Sequence, residues 1–330
     1  MVASQSVEER VDASVIVPTH GRAAFLADVL TCLASQELTS PRTYEVIVVD
    51  NSPENSRDAL LWKRPGWDPR TVYLTEPRVG LHHARHAGAR AARGGILVYV
   101  DDDVLMDSTW LDAILDGFDD DDVACIGGPV RARWEEGFPP SWLAEVSADY
   151  LSLLDYGSKP RNLEPPLCVN GCNLAVRRDA LLYAGGFRPD VFSKKRHLWL
   201  GGDGEAGMIR CLHQLGFTVR YEPKAAVQHR VTDTRGSRGY ARHRARVEGV
   251  EHSFIWTREK RPSGVRSLWS SCGCLRHVLK ALVRRDDIRC SYWIARTIHQ
   301  SLVFLSPAFR RYVLRPTWLE PDMWQSGTPR

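Results

Sequence analysis

The sequence predicts an α/β protein whose mixed, mostly parallel sheet is flanked by helices and followed by a helical appendage. Short β-branched runs alternate with helical patterns through the first hundred residues, as they do in the βαβ units that build a parallel sheet. Three consecutive aspartates directly follow one apolar run, and beyond residue 235 arginine is frequent within helical patterns. We therefore expect an α/β domain over residues 1–235 and a mainly helical, arginine-rich region over residues 236–330.

Each element of the first half follows from its own residue pattern. Apolar and β-branched runs predict strands at residues 14–18, 45–49, 71–75 and 96–100. Apolar residues recur at helical spacing over residues 25–33, which predicts a helix because such positions share one face. An alanine-rich segment over residues 81–93 predicts a second helix, and Gly94 and Gly95 end it.

Beyond the aspartates the pattern changes and indicates a mixed sheet. We expect helices over residues 109–118 and 205–215, an acidic turn at 119–122, and strands at 123–126, 167–176 and 217–221. After His229 the pattern is helical as far as about residue 315. The sequence contains neither an internal repeat nor a low-complexity stretch.

The composition excludes several classes of protein. The chain has 330 residues, of which 43% are hydrophobic and 25% charged, enough for a sizeable core. Its eight cysteines lack the dense spacing of a disulfide scaffold, and residues 1–12 lack an apolar signal segment. No apolar run approaches the roughly 18–20 residues needed to cross a bilayer. We therefore expect a cytoplasmic protein, with peripheral contact at the inner face of the membrane left open.

The aspartate triplet is the strongest candidate site. Asp101, Asp102 and Asp103 follow the apolar run ILVYV, and ligands of open α/β sheets bind at the carboxyl ends of strands. Asp101 and Asp103 can turn toward one Mg2+ or Mn2+ ion, which prefers oxygen ligands and binds phosphate as well. Asp102 is then a neighbour for sugar or ribose hydroxyls. The alternative is a solvated acidic turn, but three charges beside a buried strand are costly without a partner.

Asp50 is a second candidate at a strand end. It follows EVIVV and precedes the turn sequence Asn51-Ser52-Pro53. A carboxylate in this position can accept a hydrogen bond from a nucleobase. A turn or capping aspartate is the alternative.

Several segments together resemble family 2 glycosyltransferases, which have the GT-A fold. Residues 14–22 (SVIVPTHGR) are similar to the family's strand followed by Pro, Thr and then Arg, and residues 45–53 (EVIVVDNSP) to its strand with Asp and a polar turn. Residues 78–88 (RVGLHHARHAG) are similar to its NxGxxxARNxG motif, and residues 98–104 (VYVDDDV) to its DxD motif.

The resemblance continues through the middle of the chain. Residues 170–187 (NGCNLAVRRDALLYAGGF) resemble the family's asparagine-containing strand, arginine-bearing helix and Gly-Gly-Phe turn. Residues 200–229 (LGGDGEAGMIRCLHQLGFTVRYEPKAAVQH) resemble its acidic motif, helix, strand and terminal histidine. Each motif is weak alone, but their joint order over residues 12–250 is specific.

The resemblance implies a role for each matching residue. The donor would be bound by Pro18, Thr19, Arg22, Asp50, Arg85, Asp101, Asp102, Asp103 and Arg235. The acceptor would be bound by Asn170, Trp199 and Gly202. Mn2+ or Mg2+ would be held by Asp101, Asp103 and His229. The catalytic base would be Asp203, with Glu205 as the second choice.

The chemistry of inverting transfer agrees with an acidic residue near position 203. One carboxylate must take the proton of the acceptor hydroxyl as it attacks the anomeric carbon. Asp203 lies in a glycine-rich turn (GGDGE) that opens a helix, from which it can face a cleft. A helix N-cap is the alternative, and one residue can serve both purposes. For His229 a structural histidine is the alternative to a metal ligand.

Three positions depart from the family pattern. Arg78 and His86 stand where the family has asparagine, and Gly202 stands where a glutamate usually precedes the catalytic aspartate. The QxxRW motif of processive polymer synthases is also missing. We therefore expect one sugar to be transferred in each event.

The C-terminal third is basic and amphipathic. Arginines crowd residues 230–246 and 284–315, whereas acidic residues crowd 101–122, although the net charge is only +4. The resemblance implies that Arg235 or Arg238 closes over the donor, and a solvated helical face is the alternative. From Trp269 onward apolar residues recur at helical spacing. This face can pack on the catalytic domain, dimerise, or lie on anionic lipid.

The sequence therefore predicts a metal-dependent inverting glycosyltransferase. It would move one sugar from a nucleoside diphosphate donor, with UDP as the first choice, to a glycan, lipid-linked or small-molecule hydroxyl. A nucleotidyltransferase is the nearest alternative, but Pro18-Thr19 stands where its glycine-rich loop would be. A nucleic-acid-binding protein with basic helices lacks a recognised motif, and a dinucleotide oxidoreductase lacks GxGxxG after the first strand.

Overall fold

The computed structural model describes residues 11–52, 68–135, 139, 141–146, 148–190 and 200–319. The strands are β1 (Ala13–Thr19), β2 (Tyr44–Asp50), β3 (Thr71–Thr75), β4 (Ile96–Val100), β5 (Val104–Met106), β6 (Val123–Gly127), β7 (Val130–Trp134), β8 (Arg161–Asn162), β9 (Asn173–Arg177), β10 (Thr218–Tyr221) and β11 (Val227–Val231). The helices are α1 (Ala23–Ala34), α2 (Leu81–Ala91), α3 (Trp110–Asp116), α4 (Arg178–Tyr183), α5 (Gly204–Gln214), α6 (Asp233–Gly236), α7 (Arg238–Lys260), α8 (Gly264–Val283), α9 (Asp287–Leu305) and α10 (Pro307–Val313).

The main sheet has eight strands in the order β3-β2-β1-β4-β9-β6-β10-β8. The pairs β3-β2, β2-β1, β1-β4 and β6-β10 are parallel, whereas β9 runs antiparallel to both β4 and β6. A smaller sheet, β5-β11-β7, lies beside it. The predicted fold class, a mixed and mostly parallel sheet with flanking helices and a helical C-terminal region, is confirmed.

The central strands are buried on both faces. Every residue of β1 and β2 is buried, because helices cover the two sides of the sheet as they do in α/β proteins. Gly88 of α2 shows how closely one helix approaches. A Cβ atom there would lie 2.4 Å from the side chain of Ile16, so only glycine fits without displacing the strand.

The strand predicted over residues 167–176 is mostly wrong. Only Asn173–Arg177 forms a strand, and a turn precedes it. The Asn170 side chain accepts a hydrogen bond from the Cys172 N–H (3.2 Å), and the Asn170 carbonyl accepts one from the Asn173 N–H (2.9 Å). These local bonds satisfy the backbone in place of a sheet ladder, a known property of asparagine.

The long C-terminal helices pack partly against the α/β region. One buried cluster joins Ala241 and Ala245 of α7 and Ile288 of α9 to Tyr150 and Leu151 of the preceding region. Of the apolar residues from Trp269 onward, Trp269, Leu275 and Leu282 are exposed, so packing of that face on the catalytic domain stays a prediction, as does a domain boundary near residue 235. Among the helices described, none is both long and apolar enough to cross a membrane.

Candidate active site

The candidate site lies where β1, β2 and β4 end. Thr19 and Asp50 are register partners at the ends of parallel strands β1 and β2, and Asp101 follows β4 directly. Pro18 is accommodated in the central strand because the pairing of β1 with β4 reaches only from Ala13 to Ile16. Proline lacks the N–H that a continued ladder would need.

The aspartate triplet is held by cations and a hydroxyl. Thr19 Oγ1 donates to Asp102 Oδ2 (2.6 Å), and Arg22 pairs with both Asp102 and Asp103. The side chains of Asp102 and Asp103 are buried, whereas that of Asp101 is 27% exposed. Burial raises the pKa of Asp102 to about 7, although the Arg22 charge opposes this shift. The triplet is therefore a built cluster and not a solvated turn.

Asp103 connects the triplet to the smaller sheet. Arg235 donates to Asp103 Oδ2 (2.7 Å) and also contacts His229 Nε2. The Arg230 N–H donates to the Asp103 carbonyl (2.9 Å), which fixes β11 beside the triplet. Burial alone would raise the pKa of Asp103, but His229, Arg235 and Arg22 outweigh burial and hold the pKa well below its usual value. Asp103 is thus an ionised carboxylate.

The donor set around Asp103 fits a metal ion only in part. Asp103 Oδ1 is buried without a hydrogen-bond partner, and His229 Nε2 lies 3.5 Å from it. His229 Nδ1 is 2.9 Å from the Leu151 carbonyl, so Nδ1 carries a proton, and Nε2 contacts the Arg235 guanidinium, which a metal ion at Nε2 would have to displace. Over the described residues, no group of three or more His, Cys, Asp or Glu side chains is arranged to hold a metal. Two protein ligands suffice for Mg2+ or Mn2+ when substrate phosphate and water complete the shell.

Arg238, the other cation expected near the donor, points elsewhere. Its guanidinium donates to Asp287 Oδ1 (2.9 Å) and so ties α7 to α9. Arg235 is therefore the better placed of the two, because it contacts both Asp103 and His229.

Asp50 is occupied by its own turn. Its Oδ1 accepts from the Ser52 N–H (2.8 Å), and its Oδ2 accepts from the Tyr73 hydroxyl (2.6 Å). The neighbouring Asn51 side chain ties the loop before α2 to this turn, since it donates to the Arg78 carbonyl and accepts from the Gly80 N–H. Asp50 therefore makes the hydrogen bonds expected of a turn aspartate, and its contact with a nucleobase stays a prediction.

Arg85 links the aspartate triplet to a second acidic cluster. Its guanidinium is 2% exposed and lies 3.9 Å from both Asp101 and Asp190. It donates to Glu205 (3.3 Å) and to the Gly171 carbonyl (3.1 Å). Burial would lower the pKa of Arg85, but the surrounding carboxylates outweigh it and raise the pKa. Arg85 is thus a buried cation shared among several carboxylates.

Asp203 occupies the N-cap position of α5 but makes no side-chain cap bond. Its fully buried carboxylate instead pairs with Arg188 (2.9 Å) and with Arg210. The alternative that Asp203 caps the helix is therefore right about the position and wrong about the bond, because two guanidinium groups bind the carboxylate more strongly than a backbone N–H does. Its role as catalytic base stays a prediction.

The acidic cluster consists of Asp190, Asp203 and Glu205, and its counter-ions are Arg85, Arg188 and Arg210. Asp190, Arg188 and Arg210 were not identified from the sequence. The Asp190 side chain is 5% exposed, and its Oδ2 has no hydrogen-bond partner among the described residues. Burial raises the pKa of Asp190 to about 7; Arg85 opposes this shift, while Glu205, Asp101 and Asp203 reinforce it. No motif or periodicity marks this aspartate, and only its position after the Gly-Gly-Phe turn offered a signal.

The residues expected to bind the acceptor are scattered. The Asn170 side chain donates to the Ser152 carbonyl (3.1 Å) within its turn. The Gly202 N–H donates to the Pro189 carbonyl (2.8 Å), next to Asp190. Trp199 lies outside the described residues. Gly202 therefore shapes the backbone around the acidic cluster, and direct acceptor contacts stay predictions.

Comparison with known proteins supports the resemblance. Residues 14–183 match the family described as Glycosyl transferase family 2. The succinoglycan biosynthesis protein ExoM of Rhizobium meliloti (strain 1021) is 27% identical over 248 residues, which are 74% of this chain and 75% of that protein. The glucosyl-dolichyl phosphate glucuronosyltransferase of Haloferax volcanii is 25% identical over 203 residues, 59% of this chain and 62% of that protein. The chain thus spans less than two thirds of the second relative.

A solved structure is also similar. The crystal structure of GalNAc-T7 with UDP, GalNAc and Mn2+ matches with a TM-score of 0.49 and 17% sequence identity, over 77% of this chain and 51% of that chain. Mn2+ is bound in that structure, but the similarity is too low to carry an argument about ligands of this chain.

Proposed function

Because the chain belongs to glycosyl transferase family 2 and therefore transfers a sugar from a nucleotide sugar, we propose that it is an inverting, metal-dependent enzyme that moves one sugar per event. The observation that carries this proposal is the pairing of Asp103 with Arg22, Arg235 and His229 at the carboxyl end of the sheet. In such a cluster the arginines can bind the oxygens of a diphosphate, and the carboxylate and imidazole can bind a divalent cation. UDP is the first nucleotide to test.

The donor half of the mechanism is assigned to the aspartate triplet. Asp103, His229 and Asp101 would hold Mn2+ or Mg2+, which neutralises charge on the leaving diphosphate. Arg22 and Arg235 each donate to Asp103, and the same N–H groups are suited to phosphate oxygens. Thr19 and Arg22 hold Asp102 in place beside them.

The acceptor half of the mechanism is assigned to the acidic cluster around Arg85. One of Asp190, Asp203 and Glu205 takes the proton of the acceptor hydroxyl. As this proton leaves, the hydroxyl oxygen bonds to the anomeric carbon, and the bond from that carbon to the diphosphate breaks on the opposite face. Arg85 positions Glu205 and keeps the cluster near Asp101.

The names of the relatives support a glycan or lipid-linked acceptor. One relative belongs to succinoglycan biosynthesis, and the name of the other contains glucosyl-dolichyl phosphate. We extend these acceptor classes to this chain as a proposal, with a small molecule as the alternative.

Helix α8 is proposed to rest on an anionic membrane surface. Its exposed apolar residues recur at helical spacing: Val265, Leu268, Trp269, Leu275, Leu279, Leu282 and Val283. Residues 261–285 contain Arg261, Arg266, Arg276, Lys280, Arg284 and Arg285 but no acidic residue. Apolar side chains beside unopposed cations suit anionic lipid. A symmetric dimer through this face would bring like charges together, so we favour the membrane over a second copy.

The donor proposal is tested by thermal shift. Melting temperatures are measured with UDP-, GDP- and dTDP-sugars, each with and without Mn2+, for wild type and for Asp103→Ala. We expect one nucleotide to stabilise the wild type only with metal, and Asp103→Ala to abolish that gain. Asp121→Ala, at a fully exposed aspartate, is the matched control. The proposal fails if no nucleotide stabilises the wild type, or if Asp103→Ala responds as the control does.

A further inference from the structure

Among the three carboxylates around Arg85, that of Asp190 has an oxygen that accepts no hydrogen bond from the described residues. Its side chain is 5% exposed, and Oδ2 accepts no hydrogen bond from any described residue. Among the described residues it forms an ion pair with Arg85, whose Nη1 is 3.9 Å from that oxygen, too far for a hydrogen bond. A buried oxygen without a donor is costly unless a ligand supplies one.

The other two carboxylates are already occupied. Asp203 faces Arg188 and Arg210 and has no exposed side-chain surface. Glu205 accepts from the Gly171 N–H (2.9 Å) and from Arg85 (3.3 Å). A base needs a lone pair that can point at the substrate proton. Asp190 is the one of these three with an oxygen that accepts no hydrogen bond in the described structure, so both lone pairs of that oxygen are available.

The turn that opens α5 is shaped around Asp190. Gly204 has φ +46°, and a Cβ atom there would lie 2.1 Å from Asp190 Oδ1. Any other residue would displace the carboxylate, so glycine at this position leaves room for it. Two backbone bonds hold the neighbouring segments together, from Gly202 N–H to Pro189 and from Arg188 N–H to Gly204. The carboxylate is therefore held at the N-terminus of α5 by a different segment of chain.

From this geometry we propose that Asp190, and not Asp203, is the base that accepts the proton of the acceptor hydroxyl. The inference rests on the proposed function. The O–H bond breaks as the hydroxyl oxygen bonds to the anomeric carbon, the carbon–diphosphate bond breaks with its electron pair on the phosphate oxygen, and the proton stays on Asp190. Asp203 is then a positioning residue, which fixes the start of α5 through Arg188 and Arg210.

The charges facing Asp190 agree with this role. Arg85 favours the ionised form, whereas burial and the carboxylates of Glu205, Asp101 and Asp203 favour the protonated form, and the pKa rises to about 7. A base with a pKa near the working pH balances availability against basicity.

The experiment compares Asp190→Asn with Asp203→Asn. Each protein is incubated with UDP-glucose, UDP-glucuronic acid, GDP-mannose or dTDP-glucose, and release of the corresponding nucleoside diphosphate is measured. This release reports turnover with water as the acceptor. We expect Asp190→Asn to keep its melting temperature and its Mn2+-nucleotide stabilisation but to lose turnover by about 10²–10⁴-fold. We expect Asp203→Asn to lower the melting temperature, because it leaves two arginines without their counter-charge.

The pH dependence separates a base from a structural counter-ion of Arg85. In the wild type the rate should rise with pH through about 7, as Asp190 loses its proton, and this rise should be absent from the residual rate of Asp190→Asn. The inference is overturned if Asp190→Asn keeps more than a tenth of the wild-type rate, if it keeps the same pH profile, or if it melts as early as Asp203→Asn. Absence of both nucleotide stabilisation and turnover in the wild type instead refutes the proposed function, and this inference with it.

Discussion

Asp203→Asn tests whether the acidic cluster is held by a buried ion pair. The Asp203 carboxylate has no exposed surface, while Arg188 is 10% and Arg210 is 28% exposed. Removal of one partner from a buried pair costs about 3–5 kcal/mol, because the other charge stays buried. Arg188 would lose its counter-charge and keep only neutral side-chain acceptors, the new amide oxygen and the Cys211 sulfur (3.0 Å). Arg210 can be hydrated, so we expect about 3 kcal/mol, the lower end of that range.

The assay is urea unfolding followed by tryptophan fluorescence, with the slope of the transition compared between proteins. Asp119→Asn is the control, because its pair with Arg42 is exposed and such pairs contribute about 0–1 kcal/mol. If Asp203→Asn changes the free energy of unfolding no more than this control does, Asp203 is not the anchor of α5. The reasoning about its occupied oxygens is then wrong as well.

Three further predictions concern the metal, the membrane and pH. His229→Ala should raise the Mn2+ concentration needed for half-maximal nucleotide stabilisation about 10-fold or more, since it removes a proposed ligand; an unchanged midpoint contradicts this role. Trp269→Glu should reduce cosedimentation with phosphatidylserine vesicles while Leu215→Glu, at an exposed leucine outside α8, should not; equal binding by both contradicts the membrane proposal. Burial and the charges of Asp203 and Glu205 raise the pKa of Glu251 to about 8, so its contribution to stability falls as pH rises from about 4 to about 8. Glu251→Gln should therefore gain melting temperature relative to wild type between pH 6 and pH 8, and parallel curves contradict this.

The central strands were predictable because each is a continuous run of apolar residues in the sequence. Residues 96–100 form a strand with the predicted bounds, and four of its five residues are buried, since a strand buried on both faces is a continuous apolar run. The edge strand over residues 71–75 also has the predicted bounds, although its residues are only partly buried or exposed. The strand over 167–176 was overpredicted, because the side-chain bond of Asn170 competes with the sheet and periodicity does not detect it.

The candidate site was predictable where it lies at strand ends and not where distant segments meet. The position of Asp101–Asp103 after β4 follows from one apolar run. The partners of Asp203 do not, because Arg188 comes from the segment after the Gly-Gly-Phe turn and Arg210 from the next turn of α5. Asp190 has an isolated position in the sequence, and only tertiary packing gives it its environment.

The short path from β11 to α7 limits how this enzyme can be rebuilt. His229 is in β11, Arg235 is in α6, and α7 begins at Arg238. The Trp142 ring N–H donates to the Gly236 carbonyl (2.5 Å) and fixes this crossing to the α/β region. A chimera that exchanges the C-terminal helices should therefore join the two parents after residue 237, because an earlier junction would replace donor-side groups together with the helices. The proposed membrane contact of α8 can be transferred with these helices only if the residues up to 237 stay with the catalytic half.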